Sequence, residues 1–195
     1  MSISEKTKKY IEQLNSESKK ERDVAIQFLS KKQYKSVVTN LLSLMNENTS
    51  TEFREGVCKI FRKHKAEEAI DFLIKCLDDP DNGVRYHAIS ALGDIDTFKD
   101  VKPLIRKLKQ KHTDPILRSE IISVLGNIGD EKAIDALINI LRNDKDKFVR
   151  HDAARALGKM GDQRAISALT KIANDEKNTR LYYLAMNAVN KIKKG

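Results

Sequence analysis

Apolar residues along the chain recur at helical spacing, and the pattern itself repeats about every 32 residues. A basic residue stands at the same place in five successive copies, and small or apolar residues follow it at helical offsets. The five basic residues are Arg22, Arg54, Arg85, Arg118 and Arg150. Offsets of three, four and seven residues share one face of an α-helix. Each copy therefore predicts one amphipathic helix, which we name helix A.

A second apolar register follows in every copy and predicts another helix, helix B. Its columns are Val37, Ala69, Val101, Ala133 and Ala165; Leu41, Leu73, Ile105, Leu137 and Leu169; and Leu44, Cys76, Leu108, Ile140 and Ile172, each spaced by 32 residues. Cys76 stands where most copies have leucine or isoleucine, so we expect it in the core, and Cys58 likewise follows the apolar residue Val57. No segment alternates with a period of two, so the predicted fold class is all-α.

Turn residues separate helix A from helix B. In the last two full copies, glycine is expected to end helix A and aspartate to begin helix B. These residues are Gly126, Gly129 and Asp130, then Gly158, Gly161 and Asp162. In the third copy Asp100 is expected to cap helix B, which leaves Pro103 in the first turn, where a missing N–H does no harm.

Both ends of the sequence have the pattern of half units, as terminal repeats must present one face to water. Residues 1–18 contain a predicted capping helix, residues 19–177 contain five helix pairs, and residues 178–195 contain a final capping helix. In that last helix Tyr182 replaces the arginine. We expect one continuous domain over residues 1–195.

The net charge of +9 is distributed unevenly along the chain: residues 1–50 carry +3, 51–100 carry −3, 101–150 carry +4 and 151–195 carry +5. A basic surface favours acidic partners. No apolar stretch is long enough to cross a membrane, and the first residues lack the apolar segment of a secretory signal. The two cysteines form no CxxC motif. We therefore expect a cytoplasmic protein with no membrane partner.

Three segments resemble HEAT repeats of the short, phycobilisome-lyase type: DDPDNGVRYHAISALGDI, LRSEIISVLGNIGDEKAIDALINIL and DKDKFVRHDAARALGKMGDQRAISALTKI. The resemblance implies an α-solenoid, an α-α superhelix with A helices on the convex side and B helices on the concave side. It also implies that an aspartate about six residues before the arginine of each repeat forms a bond along the stack of helix pairs. Asp79 with Arg85 and Asp144 with Arg150 match this spacing, whereas the Arg118 copy does not.

Catalytic and metal-binding motifs are not evident in the sequence. Deoxyhypusine hydroxylase, a HEAT-repeat enzyme, holds iron with His-Glu pairs, but here His64, His87, His112 and His151 are followed by Lys, Ala, Thr and Asp. The similar alkylpurine DNA glycosylases depend on tryptophan, which this chain lacks. Zinc-ligand spacing and a glycine-rich phosphate loop are also missing. We expect no enzyme activity and no cofactor. Because bilin lyases carry such repeats, a lyase-like subunit completed by a partner chain stays open.

The exposed side of the B helices is the predicted binding surface, and it is rich in lysine. The candidate residues are Lys75, Lys102, Arg106, Lys107, Lys109, Lys111, Asn139, Arg142 and Lys171. The favoured interpretation is a non-catalytic scaffold that binds a protein or acidic peptide on this concave surface. The alternative is nucleic-acid binding through phosphate contacts. No aromatic residue lies among these lysines, which argues against base stacking.

Overall fold

The computed structural model of the protein describes residues 4–31, 34–46, 49–110, 113–175 and 179–194. These residues form twelve α-helices and no β-strand. The helices are α1 Glu5–Glu12, α2 Lys19–Leu29, α3 Tyr34–Leu44, α4 Thr51–His64, α5 Ile70–Cys76, α6 Asn82–Asp94, α7 Lys102–Leu108, α8 Pro115–Ile128, α9 Ile134–Asn143, α10 Lys147–Met160, α11 Ala165–Asp175 and α12 Arg180–Lys194. The five predicted pairs run from α2–α3 to α10–α11, with single helices α1 and α12 at the ends. The all-α prediction of repeated helix pairs is confirmed.

The chain divides into two compact units, Met1–Phe98 and Lys99–Gly195. The first unit contains α1 to α6, and the second contains α7 to α12. Each unit has its own apolar core, in which successive A helices pack side by side and the B helices cover one of their faces. The expectation of a single domain over residues 1–195 stays a prediction.

Both cysteines lie in the core of the first unit, Cys58 on α4 and Cys76 at the end of α5. A hydrogen bond between the two thiols, together with burial, raises the pKa of Cys58. Burial in apolar surroundings opposes formation of the thiolate, which is the reactive form. The expected core position of Cys76 is confirmed.

Thiol labelling tests this burial. At mildly alkaline pH we expect the native protein to react with DTNB about 100-fold more slowly than the chain unfolded in guanidinium chloride, because both thiols are buried and the pKa of Cys58 is raised. A Cys58→Ser variant assigns each phase to one residue. Two thiols that react in the folded protein as fast as in the unfolded chain would contradict the buried pair.

Glycines determine how closely the A helices of the second unit approach one another. Gly126 and Gly158 lie inside α8 and α10, not at the turns to which the sequence pattern assigned them. A Cβ at Gly158 would lie only 2.7 Å from the Cβ of Ala188 on α12, and one at Gly126 would lie 2.9 Å from the Cβ of Ala156 on α10. Each glycine therefore makes room for the next A helix.

The turns themselves follow the sequence prediction. Gly129 and Gly161 end α8 and α10 with φ of 72° and 74°, a left-handed conformation that glycine adopts without steric cost. Asp130 then accepts a hydrogen bond from the backbone N–H of Lys132, and Asp162 does the same for Arg164. Asp100 similarly accepts from the N–H of Lys102 ahead of Pro103.

In the second predicted core column Ile105 is half-buried while the neighbouring Leu104 lies in the core, and the third column is only partly buried. Cys76 and Leu108 lie in the core, but Leu44 is exposed and Ile140 and Ile172 are half-buried. The third column lies near the carboxyl ends of the B helices. Ile140 is consequently available to a surface groove described below.

The anchor arginines connect consecutive repeats through a shared aspartate. In the second unit, Arg118 Nε lies 2.9 Å from Asp144 Oδ2, and Arg118 Nη2 donates to Oδ1 at 3.0 Å. The backbone carbonyl of the same Asp144 accepts from Arg150 Nη1 at 2.9 Å. The backbone carbonyl of this aspartate therefore binds the arginine six residues later. Its carboxylate binds the arginine of the preceding repeat.

The first unit repeats this arrangement. Arg54 Nε and Nη2 donate to the Asp79 carboxylate at 2.7 and 3.0 Å, and Arg85 Nη1 donates to the Asp79 carbonyl. The hydrogen bond to Asp79 raises the pKa of Arg54. In the first copy, Arg22 Nη1 donates to the backbone carbonyls of Ser16 and Glu17, which fixes the start of α2.

Candidate functional site

A surface groove with a volume of about 550 Å³ lies in the second unit, between the end of α7, the start of α8 and one face of α9. Apolar side chains and backbone of Leu108, Ala136 and Ile140 contribute its apolar lining. Polar residues form the rest of the lining: Lys109, Gln110, Arg118, Asp135, Asn139, Asn143, Asp144 and Lys145. The groove therefore combines apolar surface with charged and amide groups.

One face of α9 lines the groove because the apolar residues on its opposite face are buried in the core. Ile134, Leu137 and Leu141 are fully buried, and they lie three to four residues apart, on one helical face. The same register turns Asp135 and Asn139 outward. The amphipathic pattern that places α9 in the unit thus also determines which of its side chains line the groove.

The charged groups of the groove are of three kinds. Arg118 and Asp144 neutralise each other, and Asp144 Oδ1 also accepts from the N–H of Asp146 at 2.9 Å. Lys109 and Lys145, in contrast, are exposed. Asp135 is an exposed acid in the same lining. The positive charge available to a ligand therefore comes from the two lysines.

Two amides form a polar strip along α9. Asn143 Nδ2 donates to Asn139 Oδ1 at 2.8 Å, a spacing of one helical turn. The bond orients both side chains at the surface, with Nδ2 of Asn139 and Oδ1 of Asn143 outside this bond. An amide supplies both donors and acceptors, which matches the main chain of an extended peptide.

The net charge of the protein belongs to the second unit. Of the 37 basic and 28 acidic residues, 16 of each lie in residues 1–98, so the first unit is neutral. The remaining 21 basic and 12 acidic residues give residues 99–195 a net charge of +9. Such a field attracts acidic ligands to the unit that contains the groove.

The residues predicted from sequence are distributed over both units. Lys75 is exposed on α5 of the first unit. In the second unit, Lys102 and Arg106 are exposed on α7, and Lys107 of the same helix is half-buried. Arg142 is exposed on α9, and Lys171 is exposed on α11. Lys109 and Asn139 lie together in the groove lining. Lys111 lies outside the described residues. The assignment of the whole set to one binding surface stays a prediction.

Lys145 and Arg118 were not among the predicted binding residues, although both line the groove. Lys145 lies in the connection between α9 and α10, where helical periodicity gives no information about direction. Arg118 belongs to a helix A, so only the packing of the helices places it beside a groove on a B helix. Asn143 lies one helical turn after Asn139, and this spacing was the available sequence signal.

One histidine of the first unit, His87, lies in a cluster of charged side chains. Glu55 Oε1 on α4 lies 3.3 Å from His87 Nε2 on α6 and 2.5 Å from Lys59 Nζ. Burial, followed by the charge of Lys59, lowers the pKa of His87 despite the carboxylate beside it. His151 lies on α10 of the second unit. Within the described residues, no group of three or more potential metal ligands was found.

None of the helices in the described part of the chain is both long and apolar enough to span a bilayer.

Comparison with known proteins places the chain among helical repeats. Residues 7–93, 41–111 and 101–189 match a family model described as HEAT repeats. A search of curated proteins found no matching relative.

Solved structures of designed repeat proteins are similar to the chain. A designed armadillo repeat protein in complex with the peptide (KR)4 has a TM-score of 0.66 at 18% identity, covering 97% of this chain and 100% of that one. A computationally designed armadillo repeat protein for modular peptide recognition has a TM-score of 0.58 at 18% identity, covering 94% and 98%. The complex of CpcE and CpcF of phycocyanin lyase from Nostoc has a TM-score of 0.49 at 19% identity, covering 98% and 96%. The two designed proteins show a shared armadillo-like fold.

Proposed function

Because the chain belongs to the HEAT-repeat family, we propose that it is a non-catalytic scaffold that binds an acidic peptide segment of a partner protein. The groove of the second unit is the proposed site. The observation that carries the proposal is the combination of an apolar lining with the exposed lysines Lys109 and Lys145, in a unit of net charge +9. Lys102, Arg106 and Arg142 extend the positive surface of α7 and α9 outside the groove.

Each part of the groove has a defined role in this proposal. The half-buried Ile140 contacts an apolar side chain of the peptide, since burial of apolar surface gives the largest favourable contribution to binding. Lys109 and Lys145 pair with carboxylates on either side of that residue. Asn139 and Asn143 hydrogen-bond the peptide main chain. The designed armadillo protein binds the basic peptide (KR)4, whereas the charge of the present unit favours a peptide of opposite sign.

Charge reversal in the groove tests the proposal. We expect the Lys109→Glu/Lys145→Glu variant to bind a fluorescein-labelled peptide of alternating Asp and Glu with a central Leu at least about tenfold more weakly, because two attractive pairs become repulsive. Fluorescence anisotropy measures the change. The matched control, Lys191→Glu/Lys193→Glu, makes the same charge change at exposed positions near the end of α12 and outside the groove lining.

The control distinguishes a site from a general field. Equal losses in both variants would show that the peptide responds only to net charge, which contradicts a groove site. Random duplex DNA serves as a competitor at about 50 and 200 mM salt, because counterion release makes phosphate binding steeply salt-dependent. Tighter binding of DNA than of peptide, lost at the higher salt, would favour the nucleic-acid alternative instead.

A further inference from the structure

Three large apolar side chains are exposed on successive A helices of the second unit. Ile116 on α8 is 68% exposed, Phe148 on α10 is 57% exposed and Tyr183 on α12 is 58% exposed. Each lies in the first turn or so of its helix, and Ile116 and Phe148 are separated by one repeat of 32 residues. We name these three residues the A-helix patch. None of them belongs to the groove lining.

The members of the patch lie on three A helices that pack side by side. Helix α10 packs against both α8 and α12, so Ile116, Phe148 and Tyr183 lie near the amino ends of three neighbouring helices. The ring of Phe148 meets the ring of His151 edge to face, with centroids 5.9 Å apart. Tyr183 meets Tyr182 in the same way at 5.0 Å. Aromatic and aliphatic surface therefore extends over three neighbouring helices.

Positive groups from two helices lie at the patch. The Lys147 ammonium lies 5.2 Å from the centroid of the Phe148 ring. Burial and the nearby guanidinium groups of Arg180 and Arg150 lower the pKa of His151, so cations face this surface from α12 as well as from α10. The amino ends of α8, α10 and α12 add partial positive charge at the same edge.

Acidic side chains near the patch already have partners. Asp114 accepts from the N–H of Ile116 at 2.8 Å, and Asp146 accepts from the N–H of Phe148 at 2.7 Å. Asp152 pairs with Arg155 at 2.9 Å. Asp114 and Asp146 keep their negative charge at the starts of α8 and α10, and the positive charge offered to a ligand is that of the exposed Lys147 and Arg180.

We propose that the A-helix patch is a second docking surface, which binds an acidic amphipathic helix of a partner protein. Packed helices lie about 8–10 Å apart, so Ile116 and Phe148, at equivalent places of successive A helices, repeat at about that interval. Tyr183 lies on the next A helix, about half a turn further from its start. Seven residues of an α-helix span about 10.5 Å, so apolar side chains at i, i+7 and i+14 match the spacing of the patch. Acidic residues flanking that stripe would meet Lys147 and Arg180, which is the complementarity that selects this partner.

A designed probe tests the docking surface. The probe is a labelled peptide of about 18 residues with Leu, Phe and Leu at i, i+7 and i+14 and mostly Glu and Ala elsewhere. A control peptide of identical composition distributes the three apolar residues around the helix. We expect the probe to bind the full chain at least tenfold more tightly than the control, and Phe148→Ser/Tyr183→Ser to remove that preference.

Three further variants locate the binding. Lys147→Glu/Arg180→Glu should weaken the probe at least tenfold. Val24→Ser should leave affinity unchanged, because Val24 is an exposed apolar residue, 46% accessible, on α2 of the first unit. Lys109→Glu/Lys145→Glu should also leave it unchanged, which makes this result independent of the groove.

Three outcomes would overturn the proposal. One is equal affinity for the probe and the control peptide, including no measurable affinity for either. A second is self-association of the native chain in sedimentation experiments that disappears in Phe148→Ser/Tyr183→Ser, which would make a second copy the occupant. A third is tighter binding of oligo(dT) than of the probe, lost in the same variant, which would make the patch a stacking surface for single strands.

Discussion

Replacing Asp144 by alanine lowers the free energy of unfolding by about 3 kcal/mol, measured by urea denaturation with circular dichroism as the signal. The Asp144 side chain is 6% exposed and the Arg118 side chain is 15% exposed. Removal of the Asp144 carboxylate leaves the guanidinium of Arg118 with little water and no carboxylate partner. The backbone N–H of Asp146 also loses its hydrogen-bond acceptor. Breaking a buried pair from one side costs more than the pair contributes, because the remaining charge stays desolvated.

An exposed ion pair provides the control for this prediction. Asp152 pairs with Arg155, whose side chain is 63% exposed, on α10 of the same unit. Asp152→Ala should therefore cost less than about 1 kcal/mol. A loss for Asp144→Ala that is no larger than the loss for Asp152→Ala would show that the shared aspartate does not hold consecutive repeats together.

Replacing Gly158 by alanine lowers the free energy of unfolding by about 2 kcal/mol, although alanine is the better helix former by about 1 kcal/mol. The new Cβ would lie 2.7 Å from the Cβ and 2.9 Å from the Cα of Ala188. The second of these atoms is backbone, so α12 has to move away from α10. That movement opens the interface between two packed helices, where small gaps already lose packing energy.

A compensating change separates steric overlap from other effects of the substitution. Gly158→Ala/Ala188→Gly transfers the methyl group from α12 to α10 and removes the 2.7 Å overlap with the Cβ of Ala188, whereas the 2.9 Å contact with the backbone Cα remains. We therefore expect the double variant to recover about half of the stability lost in Gly158→Ala. The same urea denaturation measures this double variant and both single variants. A double variant no more stable than Gly158→Ala alone would contradict the close-approach role of the glycine.

Several parts of the fold could be predicted from local pattern. The spacing of Arg118 and Arg150, with the apolar columns behind them, predicts one A helix and one B helix in each copy, and α8 to α11 follow that prediction. Gly129 and Gly161 were placed correctly at the turns because a left-handed residue after a helix is a local requirement. Gly126 was misplaced, because a glycine needed for close contact with another helix looks the same in sequence as one needed for a turn.

The candidate site could be predicted only in part, for a related reason. Periodicity on α9 identified Asn139 as exposed, and it lies in the groove. It gave no direction for Lys145, which lies between helices, and no reason to place Arg118 beside α9. The A-helix patch escaped the sequence prediction because periodicity tells which face a residue occupies, but not how far the neighbouring helices extend over Ile116 or Phe148.

The amino-acid sequence alone determined that this protein consists of repeated helix pairs, since a 3.6-residue apolar period inside a 32-residue repeat is a property of each segment by itself. Tertiary structure decided which side chains meet. Asp144 follows Arg118 by 26 residues and belongs to the next connection, so only the packing of one pair against the next brings the carboxylate to the guanidinium. The groove and the patch have the same origin, because exposure depends on where neighbouring helices end.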